Sequence, residues 1–186
     1  MLEKLFTSKN RIKILNFFLF EEQESYIREV SRALKISVSA VKKEIDSLNS
    51  IGLLNINKNK ISLNNSCSYL EDLKNLFVKT DAIYYPIKKA LNDKRIKFAL
   101  IFGSFASGEY RKDSDIDLMI IGDISLNDII KIIRVPENKI KKDINPIVWT
   151  NKNLKKEKES GFVRDIFAKK IIMIKGDENE LREIIK

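Results

Sequence analysis

Phe102-Gly103-Ser104-Phe105-Ala106-Ser107-Gly108 is followed, five residues on, by Asp113-Ser114-Asp115-Ile116-Asp117-Leu118. The apolar run Ile96 to Phe102 before it reads as a strand that ends at the Gly-Ser pair. A turn and a short helix come next, and a second strand, Ser114 to Ile121, opens on Asp-x-Asp. Gly103 lacks a Cβ, so the backbone there can come close to a bound phosphate. Ser104 adds a hydroxyl, and the N–H groups that open the next helix favour an anion. Gly108 lets the chain turn back sharply. Asp115 and Asp117 stand two apart on a strand, so both carboxylates project from one face, while Ile116 and Leu118 point into a core. Two converging carboxylates repel each other unless a cation neutralises them. Opposite a phosphate-binding turn, they suit Mg²⁺ bridged to a triphosphate.

The pattern continues outward from this segment as strands alternating with helices. Ser125 to Ile133 reads as a helix and Asp143 to Trp149 as a third strand. Lys169 to Ile174 adds a further strand, and Glu178 to Ile185 a terminal helix. The lysines Lys139, Lys141, Lys142, Lys152, Lys155, Lys156 and Lys158 flank the third strand, either as a solvated face or as a guide for an acceptor. Trp149, Phe17, Phe18 and Phe20 read as core.

Composition narrows the chemistry. The 186 residues contain no His and one Cys, Cys67. Histidine general-base catalysis and His-metal sites are therefore excluded, and a metal must be held by oxygen, as Mg²⁺ or Mn²⁺ rather than Zn²⁺. A lone Cys forms no internal disulfide. With neither a signal peptide nor a long apolar run, the chain is expected to be cytoplasmic, without membrane contact. The formal charge of +9 suits a polyanionic partner, although a Lys-, Ile- and Asn-rich composition also raises it.

The first 65 residues read differently. Helix one covers Lys9 to Phe20, with Ile12, Leu15, Phe18 and Leu19 as its apolar stripe. Helix two runs from Tyr26 to Leu34, burying Ile27, Val30 and Leu34. After the turn Lys35-Ile36-Ser37, helix three carries Val38, Val41, Ile45 and Leu48, and Gly52 ends it. Leu53 to Asn57 and Ile61 to Asn64 then form a hairpin with Lys58-Asn59-Lys60 at its tip. The stripe leaves Ser39, Lys42, Lys43 and Asp46 of helix three on the solvent side, with Glu44 and Asp46 diluting its basic character. Ser68 to Asn92 is an amphipathic helical region whose stripe suits burial against the second domain or pairing in a homodimer.

Residues 8–65 resemble the small winged-helix repressor domains of bacteria and archaea. That resemblance implies DNA contacts from Ser39, Lys42 and Lys43 on helix three and from Lys58 and Lys60 at the wing. Residues 95–150 resemble the nucleotidyltransferase superfamily that includes DNA polymerase beta, in its minimal form: Gly-Ser, a Gly four residues after the Ser, then Ser-Asp-Ile-Asp-Leu. By that resemblance Gly103, Ser104 and Gly108 contact the NTP, and Asp115 and Asp117 are catalytic metal ligands. The superfamily's third carboxylate comes from a later strand, where this chain has Asn145. An amide oxygen can ligate a metal but cannot take a proton. Asp143 stands on the same face and replaces Asn145 only if the register slips.

The expected fold class is α+β: a winged helix-turn-helix over residues 1–66, a helical linker over 67–93, and a nucleotidyltransferase-like α/β domain with a small mixed sheet over 94–186. The expected function is NTP and Mg²⁺ binding, with nucleotidyl transfer to a protein or nucleic-acid acceptor. The alternative is a DNA-binding regulator whose second domain senses nucleotide or serves as a scaffold. The small relatives implied by the resemblance often act as antitoxins beside a partner protein.

Overall fold

A computed structural model describes residues 1–185. They divide into two compact units, Met1–Asp81 and a second that begins at Ala82. The stretch expected as one helical linker is instead two helices, one in each unit.

The first unit opens with α1 (Leu2–Leu5) and α2 (Lys9–Asn16), followed by a π-helical turn, Phe17–Glu21. Helix one was expected to run unbroken to Phe20. Phe17, Phe18, Leu19 and Phe20 are all buried, and four consecutive residues of a regular α-helix sweep round its whole circumference. The wider π turn is the local departure from α geometry that accompanies this burial. A short strand, β1 (Glu24–Tyr26), which the sequence did not announce, leads into α3 (Ile27–Leu34). Glu29 anchors the start of α3 by accepting from the Tyr26 N–H at 3.0 Å and the Ser25 hydroxyl at 2.9 Å. Lys35 ends the helix in the left-handed region at φ 54°.

Ser37 then caps α4 (Val38–Ser50), accepting from the Ala40 N–H at 3.3 Å. Val41, Ile45 and Leu48 are buried as expected. Val38 is not, being 48% exposed at the first turn. Glu44 is also displaced from its expected solvent role. It accepts from Arg11 Nε at 2.8 Å and the Ser8 hydroxyl at 2.5 Å, which ties α4 to α2 and takes its charge off the outer face. Strands β2 (Leu54–Asn57) and β3 (Lys60–Leu63) complete an antiparallel sheet in the order β1-β3-β2. The turn between them places Lys58 and Asn59 at φ 48° and 69°, the pairing a tight two-residue hairpin demands. The unit closes with α5 (Leu70–Val78).

The second unit begins with α6 (Tyr84–Ala90), β4 (Ile96–Phe102), the one-turn α7 (Ser104–Ser107) and β5 (Ile116–Gly122). Next come α8 (Leu126–Ile140), β6 (Ile144–Trp149), α9 (Asn151–Glu157), α10 (Gly161–Ala168), β7 (Ile172–Lys175) and α11 (Glu178–Ile185). The four strands form one mixed sheet, ordered β6-β5-β4-β7, in which only β5 and β6 run parallel. Helix α8 makes the crossover between those two. It runs a further two turns past the expected Ile133, because Pro136 and Ile140 continue its buried stripe.

Both faces of the central strands β4 and β5 are apolar and buried, Ala99, Ile101, Leu118 and Ile120 on one side and Phe98, Leu100, Met119 and Ile121 on the other. Phe98, Leu100, Met119 and Ile121 lie under Leu154 of α9, Val163, Ile166 and Phe167 of α10, and Leu181 of α11. Each such fully buried aliphatic or aromatic side chain contributes roughly 1.5–3 kcal/mol. Among the described residues no helix is long and apolar enough to cross a membrane.

Candidate functional site

The Asp-x-Asp segment sits where the apolar face of the four-stranded sheet runs out. Asp117 is the second residue of β5. It registers opposite Phe102 on β4 and Asn145 on β6. Cross-strand partners share a face, so Phe102, Asp117 and Asn145 form one row across the sheet. Asp115 precedes the strand and is exposed, yet Nδ2 of Asn145 donates to its Oδ2 at 3.1 Å. The strand register puts Asn145 opposite Asp117, and its amide reaches Asp115 as well. Asp143 lies just outside β6, where its carbonyl accepts from the Ile116 N–H at 2.9 Å. No group of three Asp, Glu, His or Cys side chains spaced to hold a metal occurs among the described residues. The third position of the cluster is the amide.

Partial burial holds the Asp117 carboxyl above its ordinary pKa, and the charge of Asp115 pushes it further the same way. The pair thus stores like-charge repulsion that a cation would relieve. Two carboxylates and one amide oxygen make an all-oxygen donor set, which suits Mg²⁺ or Mn²⁺.

Gly103 shapes the other wall. It links β4 to α7 at φ 69°, ψ −150°, a backbone region essentially reserved for glycine. A Cβ at this position would stand 2.4 Å from Oδ2 of Asp117. The glycine is therefore what lets the turn lie against the carboxylate. Ser104 begins α7, and its carbonyl accepts from the Gly108 N–H at 2.9 Å and the Glu109 N–H at 3.0 Å. Gly108 closes the turn in the left-handed region at φ 89°. Beyond it, the Ser114 hydroxyl accepts from the Arg111 N–H at 2.8 Å, so Ser114 braces the turn into β5.

Aromatic residues continue the row away from the acids. Phe162 of α10 meets Phe102 edge-to-face at 6.2 Å and Trp149 at 6.0 Å. Trp149, expected as core, is only partly buried, and Phe162 was not expected to matter at all. No periodicity marks Phe162, since its neighbours Val163, Ile166 and Phe167 carry the buried stripe of α10. Of the flanking lysines, Lys152, Lys155 and Lys156 lie exposed on α9.

In the first unit, Ser39, Lys42 and Lys43 are exposed on α4, and Lys58 is exposed at the hairpin tip. Lys60 is engaged within the sheet, its ammonium paired with Glu24 of β1. An open groove of about 530 Å³ lies between the start of α3, Val38 and the tip residue Asn59, with Arg28 and Arg32 on its wall. Those two arginines carried no sequence signal, because only the fold brings α3 beside the hairpin.

A strand, a Gly-Ser turn and an Asp-x-Asp strand with converging carboxylates define the second unit as a nucleotidyltransferase-like domain. The chain belongs to the family described as Polymerase beta, Nucleotidyltransferase, which matches residues 86–179. It is 35% identical over 72 residues to MJ0604 of Methanocaldococcus jannaschii, named as a protein adenylyltransferase. That match covers 39% of this chain and 72% of the relative. Among solved structures, a toxin-antitoxin complex with AMP-PNP aligns at TM-score 0.40 and 16% identity, over 54% of this chain and 78% of the other. A tri-AMPylated Shewanella oneidensis HEPN toxin in complex with its MNT antitoxin aligns at TM-score 0.36 and 13% identity, over 62% and 81%. At scores below 0.5 these two likenesses support no inference about the chain.

Proposed function

We propose that the chain binds a nucleoside triphosphate with Mg²⁺ at Gly103, Ser104, Gly108, Asp115, Asp117 and Asn145, and transfers the nucleotidyl group to a hydroxyl of a protein acceptor. The observation that carries this reading is the closeness of Gly103 to the Asp117 carboxylate, which brings the Gly-Ser turn and a pair of cation-seeking acids to one place. The name of the archaeal relative, a protein adenylyltransferase, favours protein over nucleic acid as the acceptor.

In the transfer, the acceptor oxygen bonds to the α-phosphorus as the bond to pyrophosphate breaks, and the acceptor proton leaves to solvent. Asp115, Asp117 and the amide oxygen of Asn145 would hold a divalent cation, which would supply charge neutralisation for the triphosphate. Gly103 lets the turn lie against Asp117, and Ser104 offers the phosphates a hydroxyl donor. Asn145 accepts no proton, so general-base assistance from the third position is missing and turnover is slow.

The same amide supports a second reading, in which nucleotide is bound and sensed without transfer. The first unit serves either one. Its helix-turn-helix and hairpin, in the order α2-β1-α3-α4-β2-β3, read as a winged helix. There Ser39, Lys42, Lys43 and Lys58 meet DNA phosphates and groove edges, and Lys60 joins them once it is released from Glu24.

Incubating the protein with Mg²⁺, cell extract and NTP labelled at the α-phosphate tests the enzyme. Label on a protein band, lost in Asp115→Asn/Asp117→Asn, is the expected result. Nucleotide binding without label transfer supports the sensor.

A further inference from the structure

We infer that the first unit reads thymine: Val38 meets C5-methyl groups in the major groove of A·T-rich DNA, while Arg28 and Arg32 hold the flanking phosphates. This rests on the winged-helix reading given above and adds to it the base that is preferred and the residues that select it.

The surface follows from the chain order. Strand β1 ends at Tyr26, where α3 begins, and Tyr26 registers opposite Lys60 on β3. That pairing brings the start of α3 to the hairpin tip. The turn Lys35-Ile36-Ser37 then returns the chain, so that Val38, the first residue of α4, lines the same space. The result is the open groove of about 530 Å³, apolar where Tyr26, Ile27 and Val38 meet.

Two of these residues contribute little to the fold. Val38 keeps 48% of its surface in solvent and Tyr26 keeps 46%. Valine is β-branched and a weaker helix former than alanine, and the buried stripe of α4 is made by Val41, Ile45 and Leu48. An exposed aliphatic side chain at the start of the second helix of a helix-turn-helix stands where base edges are contacted. The apolar group that a base edge presents in the major groove is the C5-methyl of thymine, beside donors and acceptors that valine cannot pair.

Charge fits the same occupant. Arg28 and Arg32 stand four apart on α3, so they share one face of the helix, and both are exposed on the groove wall. Glu29, the acid on this wall, is turned back onto the Tyr26 N–H and the Ser25 hydroxyl. Lys58 lies on the other side of Tyr26, in an adjoining hollow with Glu24 and Lys60. An apolar floor between cationic side chains matches a base edge between two phosphate backbones.

The test uses the full chain in fluorescence anisotropy with two alternating duplexes, one of adenine and thymine and one with uracil in place of every thymine. Uracil lacks only the C5-methyl, and every register of either duplex presents the base in question, so no operator has to be known. The wild type is expected to bind the thymine duplex about fourfold more tightly for each methyl it covers, the worth of one buried carbon. In Val38→Ala that ratio is expected to fall towards one, and in Val38→Ile to persist. Arg28→Gln and Arg32→Gln are each expected to lower the slope of log affinity against log salt by about one and to keep the thymine preference. Equal affinity of the wild type for the two duplexes overturns the thymine reading, as does a preference that survives in Val38→Ala, and both results leave DNA binding by the winged helix standing. Unchanged slopes in both arginine variants overturn the groove as the docking face. A wild type that binds neither duplex overturns the winged-helix reading itself, and the thymine reading falls with it.

Discussion

Gly103 and Asp117 are in contact distance across the end of the β4–β5 pair: a methyl group on the glycine would stand 2.4 Å from the carboxylate Oδ2. Gly103→Ala is therefore expected to fail twice. Its backbone at φ 69° costs roughly 1–3 kcal/mol for a side chain to adopt, and the methyl drives Asp117 out of line with Asp115. Thermal unfolding should show a lowered Tm, and Mn²⁺ titration of the surviving folded protein should show the cation affinity gone. A variant that keeps wild-type Mn²⁺ affinity contradicts the contact.

The carboxylate pair makes a pH prediction. Asp117 has a raised folded-state pKa through burial and Asp115, so its ionisation works against the folded state. Stability declines as pH rises from the ordinary carboxylate value through the raised one, and the loss persists at neutral pH. Asp115→Asn removes the repulsion. In metal-free buffer at pH 7 this variant should melt about 1–3 °C higher than wild type, the size of a sub-kilocalorie gain in a chain of this length. The difference should vanish at pH 3, where the Asp117 carboxyl with its raised pKa is neutral in both proteins and no repulsion is left to remove. Excess Mg²⁺ should stabilise the wild type and leave the variant unmoved.

Asn145 answers a question of charge. Its amide donates to Asp115 at 3.1 Å, supplying part of the neutralisation that a cation would otherwise provide. Asn145→Asp turns that donor into a third negative charge. The expected outcome is a lower Tm without metal, tighter Mn²⁺ binding, and faster label transfer in the α-phosphate assay. Unchanged metal affinity would show that position 145 does not face the cation.

Asp93 and Arg95 brace the loop before β4, with two guanidinium contacts to Asp93, at 2.9 Å and 3.2 Å, and one to Asp128 at 2.8 Å. The Arg95 side chain holds the Asp93 carboxyl down at about 2. The depressed value means that its stabilisation is present above the ordinary carboxylate pKa and fades as pH falls towards 2. Carboxyl NMR titration of Arg95→Gln should raise the Asp93 pKa part of the way to the ordinary range, because the residue 95 N–H still donates to Asp93 at 2.9 Å.

In the first unit, Lys58 and Lys60 should behave differently on DNA. Lys60 is held by Glu24, whereas Lys58 stands at the hairpin tip. If the winged-helix reading holds, Lys58→Ala should lower the slope of log affinity against log salt by about one. Lys60→Ala should lower it by less. Fluorescence anisotropy with a labelled duplex over a salt series measures both slopes.

The sequence was most legible where residue type and spacing leave one geometric solution. Ile96 to Phe102 runs as β4 from end to end, because seven residues dominated by buried apolar side chains leave a central strand as the economical solution. The Gly-Ser turn was legible from its glycines, while Asn145 was expected at the third position through the family resemblance, and the structure sets it opposite Asp117. What could not be read needed partners distant in sequence. The three-residue β1 exists only because β3 offers it a ladder. Glu44 looked solvent-facing until Arg11, 33 residues earlier, reached it. Val38 looked buried on a helical wheel, yet it sits in the first turn of α4, beside the groove rather than the core. Phe162 went unnoticed because its ring contacts are with Phe102 and Trp149, which arrive from two different strands.

The central claim is that Asp115 and Asp117 hold a divalent cation together with a nucleoside triphosphate. The most direct measurement is calorimetric titration of ATP into the protein with and without Mg²⁺, repeated on Asp115→Asn/Asp117→Asn after its fold is verified by circular dichroism. The account predicts Mg²⁺-dependent binding at one site in the wild type and none in the double variant. Equal ATP binding by the two proteins, or binding in the wild type that ignores Mg²⁺, would contradict it.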